Sequence, residues 1–363
     1  MEYLSGSGPM ACTPGCSAPI TTSANKMTAN HHRLSGLQEY GTAYGLRFFS
    51  DIPLPFLHPA TNHSDAPCIA IRMESEREAV DLTSFQNLQY EWSINDRQAW
   101  MTIHTNEDGD ALFTYSHGQQ FAISHQGDIT DLSPPTLDIK LRIATMYGPV
   151  ISWVCHQFGW MVLHGSSLLD TSNHATVFVA PQRTGKSTLA AFLSQSGWKS
   201  FVDDVCVIRK SDAENSATTI PSSNGFEIAS GPTHYRLWQD STDALAFQHH
   251  EDLYEGTTKQ SAEWKTNDSL PLWAPLKQIM VLQPDEVQFP HTESISGVIA
   301  LANIASQSRT REWLSGDPLQ FHIADIAAIV SCTPTYKMWA RVGLENLNLL
   351  ESLLPPSGNL ASM

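Results

Sequence analysis

The stretch Ala175-Thr-Val-Phe-Val-Ala-Pro-Gln-Arg-Thr-Gly-Lys-Ser-Thr-Leu-Ala-Ala191 decides the fold. Its first six residues, apolar or β-branched, read as a strand. From Lys186 to Ser196, Leu189, Phe192 and Leu193 share one side of a helix that Gly197 stops. Between the two, Ala180 through Ser187 fits the P-loop pattern of Gly or Ala, four residues, then Gly-Lys-Ser/Thr. Such a turn aims successive backbone N–H groups at phosphate oxygens, and the helix N-terminus adds its dipole. Lys186 supplies a point charge and the Ser187 hydroxyl a magnesium ligand. Ala180, Pro181, Gln182, Arg183, Thr184, Gly185, Lys186, Ser187 and Thr188 are the candidate nucleotide-binding residues, with ATP and Mg2+ as the ligands. Two positions depart from the usual loop: Ala180 replaces the first glycine, and Arg183 stands where many such loops carry another. A residue with a side chain tolerates positive φ poorly, so either the loop is shaped differently or Arg183 itself touches phosphate.

Working outward, the next acidic residues after Lys186 are Asp203-Asp204, which end a β run beginning Ser200-Phe-Val. A carboxylate on the strand beside a P-loop is a usual place to hold magnesium, and a second beside it can accept a substrate hydroxyl proton. Upstream, His164 ends a strand from Trp160 that is expected next to the P-loop strand. It either orients an acid or the substrate, or is a satisfied core histidine. Before it, Leu137, Leu141, Ala144, Gly148, Ile151, Cys155 and Phe158 recur at three- and four-residue intervals, one face of a helix kinked by Pro149. Phe201 to Ile208 is a further strand, and the alternation of strands and helices indicates an α/β domain with a mixed sheet. Beyond residue 210 the patterns assign a strand at Leu276 to Leu282 and helices at Ser294 to Ala305 and Leu344 to Leu354.

The amino-terminal third has a different texture. Residues 1–38 are rich in Ser, Thr, Gly, Pro and Ala without apolar periodicity, and read as a disordered tail. Short apolar runs follow at 46–49, 68–72, 88–94, 100–104, 111–115 and 120–124, separated by turns such as Asn106-Glu-Asp-Gly109. They predict an antiparallel β-rich domain over 39–135, closed by Pro134-Pro135, ahead of the α/β domain at 136–355 and a flexible end at 356–363.

Across all 363 residues, 21 Lys and Arg against 37 Asp and Glu give a formal charge of -16, which repels a nucleic-acid backbone except at a concentrated basic site. The most apolar stretch, Met146 to Leu163, is interrupted by Gly148, Pro149, His156, Gln157 and Gly159, so it reads as core rather than a membrane span. Scattered cysteines and an opening without the pattern of a secretory signal suggest a cytoplasmic protein. Gly165-Ser166-Ser167 lacks the second glycine of a Gly-x-Ser-x-Gly elbow, which removes support for a serine hydrolase. His31-His32 and His249-His250-Glu251-Asp252 read as solvated surface rather than zinc ligands.

In order and spacing, Leu163-His-Gly-Ser-Ser-Leu168, Gly185-Lys-Ser-Thr-Leu-Ala190 and Asp203-Asp204 resemble the Leu-His-Ala-Ser, Gly-Lys-Ser-Thr-Leu-Ala and Asp-Asp blocks of the HPr kinase family. Gly231-Pro-Thr-His-Tyr-Arg-Leu-Trp238 is similar to a further Pro-x-x-Arg-Leu-Trp block. Tyr44-Gly-Leu and Ser50-Asp-Ile-Pro-Leu-Pro55 resemble the opening of the extra domain carried by stand-alone relatives of that family, among them kinases of lasso-peptide precursors. The resemblance implies a P-loop kinase domain of the HPr kinase C-terminal type behind a smaller β-rich domain. It implies an ATP- and magnesium-dependent serine kinase acting on a peptide or protein, a lasso-peptide precursor ending in serine being the nearest example. It also implies roles: Asp203 the catalytic base, His164 its partner, Lys186 and Ser187 the phosphate and magnesium ligands, and Asp204 the second acid holding metal. Arg236 either stabilises the transferring phosphoryl or makes a structural ion pair. A small-molecule kinase and a non-catalytic nucleotide sensor remain the alternatives, and a homo-oligomer stays open.

Overall fold

The structure, a computed structural model, describes residues 33–59, 65–73, 80–94, 98–211, 224–264, 270–284, 291–340, 347 and 353–354. Eight strands come first: β1 (Gln38–Ala43), β2 (Leu46–Ser50), β3 (Cys68–Arg72), β4 (Asn87–Ile94), β5 (Gln98–Thr105), β6 (Ala111–Tyr115), β7 (Gln120–Ile123) and β8 (Ile129–Asp131). They form one sheet in the order β1-β2-β3-β8-β7-β6-β5-β4. The expectation of an antiparallel sheet needs correcting at its centre, where β2 pairs β3 and β3 pairs β8 in parallel. The long β2–β3 connection returns the chain to the starting end of β2, which a tight hairpin cannot do. Most of the residues assigned to the amino-terminal tail, and the end at 356–363, lie outside the described residues.

Two short helices follow, α1 (Ile139–Thr145) and α2 (Ile151–Gln157), joined by a wider turn at Met146–Val150 that contains Pro149. Gly148 there leaves helical geometry at φ -110°, ψ -107°, so the break expected at the proline falls one residue earlier. The Asp138 side chain caps α1 by accepting from the Lys140 N–H at 2.9 Å. One turn on, buried Arg142 donates to buried Asp131 at 2.6 Å and to the Met73 carbonyl at 2.8 Å, tying α1 to the first sheet.

The remaining strands are β9 (Met161–Leu169), β10 (Ala175–Val179), β11 (Lys199–Lys210), β12 (Phe226–Ala229), β13 (His234–Trp238), β14 (His250–Asp252), β15 (Lys259–Glu263), β16 (Trp273–Pro284), β17 (His291–Ile295) and β18 (Thr335–Ala340). Between them run α3 (Lys186–Gln195), α4 (Gln239–Ala244), α5 (Gly297–Ala305) and α6 (Gly316–Cys332). β10, β9, β11, β12 and β16 close into a five-stranded barrel, because β16 pairs with both β12 and β10, and β18 and β17 extend the sheet from β16. β13, β15 and β14 make a separate small sheet. The helix expected at 344–354 lies almost wholly outside the described residues. Among the described residues, no helix is long and apolar enough to cross a membrane.

Phe113 and Ile123 of the first sheet, Trp153 of α2, and Val162 and Phe201 of the barrel belong to one contiguous buried cluster. A second cluster sits under α3, where Leu189 and Leu193 pack on Phe178, Tyr235 and Leu237. Each leucine buried there contributes about 1.5–3 kcal/mol, which anchors the helix that carries Lys186. β9 and β10 approach so closely at Gly165 that a Cβ would lie 2.6 Å from the Phe178 carbonyl oxygen. Gly165→Ala is therefore expected to lower stability by about 1–3 kcal/mol, read as a shifted midpoint in urea unfolding with the slope unchanged.

Candidate active site

β10 delivers the chain into the loop 180–185, and α3 starts at Lys186. Arg183 sits at φ +64° and Gly185 at φ +87°, so the loop takes up the left-handed turn even though one of the two positions carries a side chain. That side chain has its own anchor: the Arg183 guanidinium lies over the Trp238 ring, 5.4 Å from its centroid, and the Lys259 ammonium is 5.3 Å from the same centroid. The Thr184 hydroxyl donates to the Pro181 carbonyl at 2.7 Å, and Lys186 Nζ donates to the carbonyls of Ala180 and Pro181 at 2.7 and 2.9 Å. Lys186 is only 5% exposed, and that burial pushes its pKa down to about 8, against the opposing pull of Asp203 and Asp204.

The acidic pair lies inside β11 rather than at its end, and β9 separates β11 from the P-loop strand. In register, Asp203 stands opposite Ser166, Asp204 opposite Gly165 and Val205 opposite His164. The two acids have different partners. Asp203 is 5% exposed with both carboxylate oxygens engaged: one accepts from the Ser166 hydroxyl at 2.6 Å, the other from the Arg236 backbone N–H at 2.9 Å. Asp204, at φ +72°, turns its carboxylate into the cavity beside the P-loop. Strained backbone at both Arg183 and Asp204, on the walls of one cavity, is the pattern of a functional site.

Three cationic or polar groups meet Asp204. Arg236 Nη1 donates to Oδ2 at 3.0 Å, and Arg309 Nη2 donates to Oδ1. Arg309 also donates from Nε and Nη2 to the Asp204 carbonyl, at 3.3 and 3.1 Å. His164 Nδ1 lies 3.2 Å from Oδ1 and 2.8 Å from Arg309 Nη2. Burial, followed by the Arg309 charge, lowers the His164 pKa, so the ring is neutral. A neutral ring accepting from Arg309 at Nδ1 carries its proton on Nε2. The guanidiniums of Arg309 and Arg236 hold the Asp204 carboxyl well below the usual carboxylate range, overcoming the opposite effect of burial.

Arg309 is the member that sequence reasoning misses. It reaches the site because the segment after α5 runs along β9: the His164 N–H donates to the Gln307 carbonyl at 2.8 Å, and the Arg309 N–H to the Val162 carbonyl at 3.0 Å. That pairing is long-range and leaves no local pattern around Gln307-Ser-Arg309.

Most of these groups line one cavity of about 630 Å³, a size suited to a nucleotide. Gln182 through Leu189 form one wall, His164, Asp204, Arg236 and Arg309 another, and Leu282, Met338 and Leu347 an apolar end. The cavity thus brings together His164, Arg236, Asp204 and the P-loop residues from Gln182 to Thr188, and leaves Asp203, Ala180 and Pro181 out of its lining. Among the described residues no group of three or more His, Cys, Asp or Glu side chains could hold a metal ion. The Ser187 hydroxyl, at the start of α3, lines the cavity where magnesium held mainly by phosphates and water would need one or two protein oxygens. Asp204 has both carboxylate oxygens engaged by arginines.

No family model and no curated protein matches the chain. Among solved structures it is similar to the Hpr(Ser) kinase/phosphatase from Coxiella burnetii, at 10% sequence identity and a TM-score of 0.26, over 53% of this chain and 94% of that one. So loose a superposition transfers nothing from that protein to this chain.

Proposed function

We propose that the chain is an ATP-dependent kinase that transfers the γ-phosphoryl group to a serine hydroxyl of a peptide or protein. The observation that carries this reading is the convergence on one cavity of a P-loop with its lysine and an ionised carboxylate flanked by two arginines and a histidine. The resemblance of the Leu163–Leu168, Gly185–Ala190 and Gly231–Trp238 blocks to HPr kinases supports serine as the acceptor, and the opening of the β-rich region favours a lasso-peptide precursor as the substrate.

In this reading the P-loop N–H groups and Lys186 bind the phosphates, Lys186 exchanging the Ala180 and Pro181 carbonyls for phosphate oxygens. Bound magnesium would neutralise charge on those oxygens, with the Ser187 hydroxyl as its protein ligand. Arg236 and Arg309 swing from Asp204 toward the incoming phosphoryl charge. Losing two cations raises the basicity of Asp204, which then accepts the serine proton as the oxygen attacks phosphorus. Asp204 thereby takes the part the resemblance gives to Asp203. Asp203 holds Ser166 and the Arg236 backbone, positioning the arginine rather than touching the reacting atoms. His164 accepts from Arg309 at Nδ1 and so positions that guanidinium beside the Asp204 carboxylate.

Incubation with ATP, magnesium and a panel of serine-ended peptides is expected to yield ADP and phosphopeptide in equal amounts, measured by coupled assay and mass spectrometry. ADP release that no peptide accelerates, without phosphopeptide, would sink the kinase reading.

A further inference from the structure

A second cavity, of about 430 Å³, opens on the other side of Arg236. Its walls are largely apolar: Ile52, Pro53 and Phe56 after β2, Ile139 and Ile143 of α1, and Leu253 after β14. Arg236 is the partition between the two cavities. Its Nη1 donates to Asp204 on the P-loop side, while its Nη2 donates at 3.0 Å to the carbonyl of Ala144, a residue of the second cavity's wall. Whatever fills the second space therefore lies against a side chain that also reaches the proposed phosphoryl-transfer site.

Polar groups enter this apolar space from the small sheet. Arg236 on β13 pairs with Ser261 on β15, and His234 lies two residues before Arg236 on the same face. Tyr235 and Leu237 turn to the opposite face, into the core under α3. His234 and Ser261 both line the cavity, are 5% and 4% exposed, and His234 Nδ1 and Ser261 Oγ have no hydrogen-bond partner among the described residues. Buried polar atoms in folded proteins are nearly always satisfied, because an unpaired one has given up its hydration for nothing. Both residues belong to the lining of one largely apolar cavity, where a hydrogen-bonding occupant would find partners.

We infer that this cavity is the acceptor subsite and that it takes a peptide segment with a bulky apolar side chain directly before the residue whose hydroxyl is phosphorylated. The apolar side chain covers the Ile, Pro and Phe lining, and the peptide bond beside it presents an N–H and a C=O to the imidazole and the hydroxyl. Burial keeps the His234 ring neutral, with its pKa near 3, so it offers a hydrogen bond rather than a charge. The assignment rests on the phosphotransferase reading of the neighbouring cavity.

The test is isothermal titration of the full chain, without nucleotide, with two peptides blocked at the amino end, Gly-Gly-Gly-Phe-Ser and Gly-Gly-Gly-Gly-Ser. The phenylalanine peptide is expected to bind at least about tenfold more tightly. Ile143→Asp should abolish that preference. Ser261→Ala should weaken binding about fivefold while leaving the melting temperature unchanged or higher, because it deletes an unpaired hydroxyl rather than a bond. Equal affinity for the two peptides, a preference that survives Ile143→Asp, or a clear fall in the melting temperature of Ser261→Ala would each overturn the proposal. Failure of this inference and failure of the kinase reading look different. Phosphate transfer without a phenylalanine preference removes the subsite and leaves the kinase, whereas tight phenylalanine-dependent binding without transfer to any peptide removes the kinase and leaves the peptide site.

Discussion

Replacing Asp204 by asparagine is expected to slow phosphoryl transfer by on the order of 100-fold or more, the scale of a lost general base. The amide keeps the shape of the side chain but cannot accept the serine proton. It also leaves Arg236 and Arg309 without their anionic partner, and because the pair is only partly buried the stability cost falls below that of a fully buried one, about 3–5 kcal/mol. The two effects separate if kcat is measured at saturating ATP well below the variant's melting temperature. Asp203→Asn provides the contrast: its carboxylate holds the Ser166 hydroxyl and the Arg236 backbone and does not line the cavity. It should lower the melting temperature while costing less than about tenfold in kcat. A larger loss of kcat in Asp203→Asn than in Asp204→Asn would reverse the assignment of the base.

Lys186→Ala is expected to weaken ATP binding by at least about tenfold, the loss of a charge-assisted contact of about 1.5–3 kcal/mol. Lys186 makes a pH dependence as well. Burial lowers its pKa to about 8 in the free protein, and an anionic phosphate beside it raises that value again. Nucleotide binding therefore takes up a proton above pH 8, and affinity should fall as pH rises through that value. Isothermal titration of the wild type from pH 7 to about 9.5 should show the fall, and Lys186→Ala should not. The same pH slope in both proteins would remove Lys186 from the phosphate site.

The P-loop unit was legible because every part of it is local. An apolar strand, a short loop of fixed spacing and a helix with one apolar side occupy consecutive residues, and β10 and α3 fall within a residue or so of where the pattern puts them. The runs at 68–72 and 111–115 became β3 and β6 without change for the same reason. Long-range pairing was not legible. Nothing near Asp203-Asp204 indicates that β9 intervenes between β11 and the P-loop strand, or that the backbone turns to positive φ at Asp204, which lines the cavity while Asp203 does not. Arg309 escaped for a related cause, since only its backbone pairing with β9 brings it to His164. Helix α6 is not among the elements the patterns assign beyond residue 210, although Pro318, in its first turn, occupies a position whose N–H needs no helical partner.

The central claim is that one cavity holds the phosphates of ATP against Lys186 and presents the γ-phosphoryl group to Asp204. A crystal structure with a non-hydrolysable ATP analogue and magnesium tests it most directly. The account predicts phosphate density under the loop 182–187, Lys186 Nζ moved from the Ala180 and Pro181 carbonyls onto phosphate oxygens, and Arg236 and Arg309 turned from Asp204 toward the γ-phosphate. An analogue bound elsewhere, or bound here with its γ-phosphate pointing away from Asp204 and both arginines unmoved, would contradict it.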